Sequence, residues 1–307
     1  MPCFRPLKAY RSSAGRSKNG KWPLVFKVQD GFSDMKVMVP CGRCIGCLLE
    51  RSRQWAIRCV HEASLYERNC FITLTYSPDH LDHLPRFVDE ETGELFSSLN
   101  KRDIQLFFKR LRKEFGEGIR YFQCGEYGEK FARPHHHAIV FNFDFDDKYY
   151  FASRRGVKYY RSATLEKLWP YGYCTIGDVT FESAAYVARY VLKKVVGKDE
   201  VVEGHYRGLQ PEFVTMSRRP GIAREYFERF KDTMYDNDKV FIRNGLTARP
   251  ARYYDRLFDL TDPVRFAKIK RKRRLAAESR PDNSFERLAV RERVQVLKMR
   301  SCVRSLE

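Results

Sequence analysis

The run Arg133-Pro134-His135-His136-His137-Ala138-Ile139-Val140-Phe141-Asn142-Phe143 constrains the fold more than any other stretch. Its β-branched and aromatic residues favour a strand, and strand side chains alternate between faces. His135 and His137 then share one face and His136 takes the other. Two imidazoles placed about 6.5–7 Å apart along a strand can converge on one divalent metal. A surface histidine run or a core pair would use the same residues, so the partners elsewhere must decide. Upstream, Ile119–Cys124 is a second strand leading into Gly125-Glu126-Tyr127-Gly128, and a short polar turn joins it to the histidines. The two read as a hairpin, with Glu126 beside the histidines as the natural third ligand.

Composition narrows the partners. The 307 residues carry a net charge of +19, a field that draws polyanions such as nucleic acid or an anionic membrane. No run of 18 apolar residues exists to span a membrane, and Met1-Pro2-Cys3-Phe4-Arg5 lacks the apolar region of a signal peptide. The expected setting is intracellular, so the nine cysteines read as thiols or metal ligands rather than a disulfide framework. The 18 tyrosines and 23 phenylalanines suit base stacking as well as core packing.

Cys41-Gly42-Arg43-Cys44-Ile45-Gly46-Cys47 sets three thiols at three-residue spacing on a tight turn, which can wrap a soft metal. Zinc fits better than an iron–sulfur cluster, since nothing else suggests redox work. Cys3, Cys59 and His61 are candidate fourth ligands, and Cys3 is preferred because it would pin the N-terminus. Gly15-x4-Gly20-Lys21 imitates a phosphate loop, but Trp22 replaces the required Ser or Thr and no strand is expected before Gly15, so it is rejected.

Along the chain, Trp22–Val28 and Met35–Val39 are expected to pair as short strands. Leu48–Arg68 reads as a helix with Trp55, Cys59 and Ala63 inward and Arg51, Arg53 and Arg58 outward. A strand over Cys70–Tyr76, a charged loop over Asp79–Asn100 and an amphipathic helix over Lys101–Phe115, closed by Gly116, come next. Asp144–Tyr160 reads as a polar, basic insertion or loop, Ala163–Trp169 as a short helix and Cys174–Val179 as a strand. Phe181–Val196 is a helix on which Tyr186 and Tyr190, four apart, share a face, with Lys193 and Lys194 on the next turn. Phenols beside ammonium groups suit a nucleophile for a phosphodiester. Ala223–Met234 and Phe285–Met299 read as helices. From Val264 to Glu307 there are 14 Lys/Arg against 5 Asp/Glu. Lys268, Lys270, Arg271, Lys272, Arg273 and Arg274 are the centre of that excess and suit phosphate contacts.

A His-x-His strand, an upstream Glu and a downstream Tyr-x3-Tyr helix resemble the HUH endonucleases, specifically rolling-circle replication initiators. Cys41–Cys47, Arg53-Gln54-Trp55-Ala56, Thr73-Leu74-Thr75-Tyr76, Cys124-Gly125-Glu126-Tyr127-Gly128, Arg133–His137 and Tyr186-Val187-Ala188-Arg189-Tyr190-Val191 together look like the initiators of gokushovirus-type microvirus bacteriophages. The resemblance covers roughly residues 1 to 230. The one departure is His136, where such proteins usually carry an aromatic or aliphatic residue.

The resemblance implies an α+β fold, a central antiparallel sheet with flanking helices built on a ferredoxin/RRM-like core, followed by a basic helical C-terminal region. The expected segments are 1–47 with the cysteines, 48–230 as the endonuclease core and 231–307 as the basic helices. It further implies Mg²⁺ or Mn²⁺ on His135, His137 and Glu126, Tyr186 and Tyr190 as nucleophiles, and Lys193 or Lys194 at the phosphate. The implied activity is nicking one strand of an origin through a 5′-phosphotyrosyl link and later rejoining it. A related transposase or relaxase, or a zinc-knuckle nucleic-acid-binding regulator, is the alternative. Partners would be single-stranded origin DNA and a host DNA polymerase and helicase, in the cytoplasm of a bacterial host.

Overall fold

The computed structural model describes residues 3–301 except 18–19, 21, 89–92, 129–130, 155, 194–205, 207, 244 and 279–280. Side chains of residues 189–193, 281, 300 and 301 are also outside the description. Two compact units emerge, one drawn from residues 1–51 and 267–303, the other from 52–266.

In chain order the elements begin with strands β1 (Leu7–Ser12), β2 (Leu24–Val25) and β3 (Gly31–Val39), then helix α1 (Ile45–Ala63). Strand β4 (Asn69–Thr75), the single turn α2 (Pro78–Leu81), and strands β5 (Arg86–Val88) and β6 (Leu95–Ser97) follow. Next come helix α3 (Lys101–Phe115), strands β7 (Arg120–Tyr127), β8 (Pro134–Phe141), β9 (Tyr149–Arg154) and β10 (Val157–Arg161), and helix α4 (Ala163–Leu168). Strand β11 (Cys174–Gly177), helix α5 (Phe181–Lys193), strand β12 (Phe213–Met216) and helix α6 (Arg224–Asp236) precede the hairpin β13 (Val240–Arg243) and β14 (Leu246–Ala248). Helices α7 (Arg252–Thr261), α8 (Pro263–Glu278) and α9 (Phe285–Ser301) complete the chain.

The second unit is an α+β fold around a seven-stranded antiparallel sheet of order β12-β7-β8-β4-β11-β10-β9. Its middle, β4-α3-β7-β8-α4-β11, has the spatial order β7-β8-β4-β11, the ferredoxin-like split βαβ arrangement. Both faces are covered. On one, Ile104, Phe107, Phe108 and Leu111 of α3 and Leu165 and Leu168 of α4 pack on Ile72, Leu74, Ala138 and Val140. The helix α3 starts where the Asn100 side chain accepts from the Arg102 N–H, and Gly116 stops it at φ 87°. On the other face, Trp55 of α1 lies 4.9 Å from Phe122, and Tyr186 of α5 stands against Phe71 and His137.

Five expectations change. Trp22–Val28 and Met35–Val39 do not pair with each other; β2 and β3 each pair with β1, whose mixed sequence LKAYRS hid a strand. That strand does precede Gly15, although Trp22 still breaks the phosphate-loop pattern. Asp144–Tyr160 is not a loop, because β9 and β10 extend the main sheet. Tyr149, Tyr150 and Phe151 are exposed in succession there, so the hairpin has no half-buried alternation to read. Asp79–Asn100 holds α2 and the β5–β6 hairpin. Arg58 is not on the exterior: its guanidinium is buried between Trp55 and Tyr253, 4.1 and 3.7 Å from the ring centroids, and donates twice to the Ile222 carbonyl.

Candidate metal centre

Register brings the site together. In the β7–β8 pairing Glu126 lies opposite His135 and Cys124 opposite His137, while β4 sets Thr73 opposite His137. All five therefore face the same side. The Nε2 atoms of His135 and His137 lie 2.7 and 2.9 Å from one Glu126 oxygen, Oε1. Ligand atoms of the three residues all fall within 4.8 Å of one another.

The partners of the other ring nitrogens orient the imidazoles. His135 Nδ1 sits 3.0 Å from the Arg133 carbonyl, which can only accept, so Nδ1 carries a proton. In the neutral ring Nε2 then presents a lone pair to the carboxylate. Lone pair against anion is repulsive unless a cation, proton or metal, lies between them. His137 Nδ1 sits 2.9 Å from Thr73 Oγ1; with Nδ1–H donating there, Nε2 is likewise kept for the centre. Burial would raise the Glu126 carboxyl pKa, but hydrogen bonds and positive charge from both histidines outweigh it and hold it down to about 2. An anionic carboxylate and two imidazole lone pairs form an N₂O set suited to a divalent cation. The donor set fits the metal expected there.

His136 faces the core, as strand parity requires. Its Nε2 is 3.2 Å from the Tyr76 hydroxyl, which donates to Asp103 Oδ2 at 2.8 Å. Burial, then the neighbouring histidine charges, pushes its pKa down to about 3, so it is a neutral structural group.

Tyr186 is close to the centre. Its ring lies 5.0 Å from the His137 ring, edge to face, and only 5% of the residue is exposed. The start of α5 is held by a reciprocal pair: the Ser183 N–H donates to Thr180 Oγ1, and the Thr180 N–H to Ser183 Oγ. Tyr190 and Lys193 lie on α5, but their side chains are outside the described residues, as is Lys194 entirely. Cys3, Cys41, Cys44 and Cys47 converge in the first unit. The alternative fourth ligands do not join them: Cys59 is buried, and His61 is engaged by the Tyr254 hydroxyl and the Phe241 carbonyl. Lys268, Lys270, Arg271, Lys272, Arg273 and Arg274 lie on α8, most of them exposed.

Two supporting residues escaped sequence reading. Thr73 could have been found from strand parity once β4 was paired with the histidine strand. Gly125 could not: a Cβ there would sit 2.9 Å from the Phe213 ring and 3.1 Å from His136 Nδ1, and Phe213 lies on a strand no pattern announced.

A ferredoxin-like sheet presents the His-x-His/Glu centre beside the tyrosine helix, and the relatives of the chain define its class. Residues 69–195, from β4 through α5, match the family model of the replication-associated protein ORF2/G2P. The chain is 31% identical over 293 residues to replication-associated protein VP4 of Bdellovibrio phage phiMH2K, covering 91% of this chain and 85% of that protein. It is 35% identical over 271 residues to replication-associated protein ORF2 of Spiroplasma virus 4, covering 83% and 80%. It is 32% identical over 238 residues to replication-associated protein ORF4 of Chlamydia phage 1, covering 73% and 55%. No solved structure matches. The chain belongs to this family of phage replication-associated proteins.

Proposed function

We propose that the protein initiates rolling-circle replication by nicking one strand of its origin and later rejoining the displaced strand. The observation that carries this is the Glu126/His135/His137 cluster with the Tyr186 ring 5.0 Å from His137. In the reaction the Tyr186 phenolate oxygen attacks the scissile phosphorus in line. The P–O3′ bond breaks, the leaving oxygen takes a proton to become a free 3′-OH, and the 5′ phosphate stays on the tyrosine. One phosphodiester is exchanged for another, so the step reverses when a 3′-OH attacks the link. Mg²⁺ or Mn²⁺ held by the two imidazoles and the carboxylate would polarise the phosphate and offset charge on its oxygens. The chain's own work is to hold the imidazoles through Thr73 and the Arg133 carbonyl. Tyr190, four residues on, is the second nucleophile that lets one end be held while the regenerated origin is cut. Lys193 or Lys194 contacts the phosphate.

The net charge of +19 supports a single-stranded DNA substrate, with the basic run on α8 contributing phosphate contacts. The free 3′-OH would prime a host polymerase, and strand separation would fall to a host helicase, in the bacterial cytoplasm. No helix among the described residues is long and apolar enough to cross a membrane.

The test is a single-stranded origin oligonucleotide incubated with Mn²⁺ and run on a denaturing gel. Wild type should give a covalent protein–DNA band that the double variant Tyr186→Phe/Tyr190→Phe lacks. Cutting without a band would identify water as the nucleophile and refute the reading. A band surviving in the double variant would refute the tyrosine assignment.

A further inference from the structure

We propose that Cys3, Cys41, Cys44 and Cys47 form a structural zinc site of four thiolates, independent of the chemistry at the histidines. Their sulfurs all lie within 4.8 Å of one another. Cys3 Sγ is 3.8 Å from Cys41 Sγ and 3.9 Å from Cys44 Sγ. A tetrahedron of sulfurs at about 2.3 Å from zinc has edges of about 3.8 Å, so these spacings are those of a ligand shell. They are far too long for a disulfide, whose sulfurs sit about 2.05 Å apart. All four cysteines are free thiols.

The surrounding backbone is arranged for thiolates. The Phe4 N–H donates to Cys44 Sγ, the Cys41 N–H to Cys3 Sγ and the Cys44 N–H to Cys41 Sγ, each at 3.3 Å. Amide hydrogens on sulfur stabilise negative charge there, and such donors around the ligands orient and tune a metal site. Gly42, at φ 77°, makes the left-handed turn that lets Cys41 and Cys44 face each other.

The first unit also lacks the core that would make a metal superfluous. Among its described residues, Leu7, Phe26, Phe32, Met35 and Met38 are exposed, while Cys3, Ala9, Cys44 and Leu288 are its buried apolar residues. A module with so little burial needs a staple. The four cysteines sit where one would act: Cys3 in the N-terminal segment, Cys41 two residues after β3, Cys44 just before α1 and Cys47 in its first turn. A single ion would fasten the N-terminus, the strand exit and the helix start. Zinc suits a closed four-thiolate shell with no open position, which marks a structural rather than catalytic role.

The experiment uses the full chain expressed with zinc and purified without chelator. Elemental analysis should find about one zinc per chain. X-ray absorption at the zinc edge should show four sulfurs at about 2.3 Å. Replacing zinc by Co²⁺ should give a thiolate charge-transfer band and the intense visible bands of a tetrahedral site. Cys3→Ser or Cys44→Ser should lose most of the metal, and Cys70→Ala, in the central sheet, should keep it. A nitrogen- or oxygen-rich shell, iron in place of zinc, or zinc far below one per chain in the wild type would overturn the proposal. The wild-type absorption spectrum decides even if the serine variants fail to fold. A Tyr186→Phe/Tyr190→Phe protein should bind the same zinc, which separates this site from the proposed nicking centre.

Discussion

Replacing Thr73 by valine tests whether the histidine centre is a metal site or a packed ion pair. The Thr73 hydroxyl is the partner that holds His137 Nδ1, at 2.9 Å, and so directs Nε2 toward Glu126. Valine keeps the shape and removes that partner. Loss of a hydrogen bond behind a ligating histidine typically costs 10- to 100-fold in metal affinity, or about 1.4–2.8 kcal/mol. Thr73 is only partly buried, so the hydroxyl contributes about 1 kcal/mol or less to folding. Calorimetric titration with Mn²⁺ should show the Kd rise by that factor while the melting temperature of the metal-free protein moves by a few degrees at most. Raising Mn²⁺ should restore DNA adduct formation in the variant, because the tyrosines and the other ligands are intact. An unchanged Kd would refute the argument that Thr73 sets the imidazole. Equal loss of activity at every Mn²⁺ concentration would show that the threonine acts on something other than metal.

Other perturbations report on the frame around the site. Gly125→Ala should destabilise the chain by about 1–3 kcal/mol, read by chemical denaturation, because its Cβ collides with the Phe213 ring and crowds His136. Arg58→Lys should cost about 2 kcal/mol by the same assay: lysine cannot stack between Trp55 and Tyr253 while donating twice to the Ile222 carbonyl. His61 gives an acid dependence. Burial, with the Tyr254 hydroxyl bonded to it and the Tyr226 ring stacked on it, lowers its pKa from 6.5 to about 4, and the Phe241 carbonyl acts in the other direction. The unfolded chain binds that proton first, so this contribution is complete above pH 6.5 and is lost as pH falls toward 4, by about 3 kcal/mol in all. Unfolding free energy measured across that window should fall with acid in wild type and less steeply in His61→Phe.

The elements legible in the sequence were those with one wet face or a strong local signal. Helix α3 spans Lys101–Phe115, the residues its periodicity indicates, because Ile104, Phe107, Phe108 and Leu111 form a single stripe and Gly116 ends it. Strand parity sorted His135 and His137 from His136, and a hairpin placed Glu126 opposite His135. What stayed hidden has a common cause. Strands β9, β10 and β12 lie away from the sheet centre with side chains half to fully exposed on both sides, while β1, central in its own sheet, buries only Ala9 and Ser12 in a mixed sequence, so in none of the four does alternation or an apolar run mark a strand. Arg58 was misplaced for a different reason: helical position says which way a side chain leaves the helix, but not that Trp55 and Tyr253 wait there to enclose a cation.

The His136 departure sharpens how register protects the centre. A slip of one residue along β8 would exchange the faces and bring His136 to Glu126, with His135 and His137 turned into the core. Such a slip would still offer an imidazole, so chemistry alone does not forbid it. The core does. His136 is fully buried, bonded to Tyr76 and in edge contact with Trp169, and Gly125 is the only residue small enough to lie between it and Phe213. On the other side, the Arg133 carbonyl accepts from His135 Nδ1, and the Thr73 hydroxyl is hydrogen-bonded to His137 Nδ1. The three consecutive histidines are therefore not interchangeable. The outer two are defined by what lies behind their Nδ1 atoms, and the middle one helps hold the strand in the register that presents them.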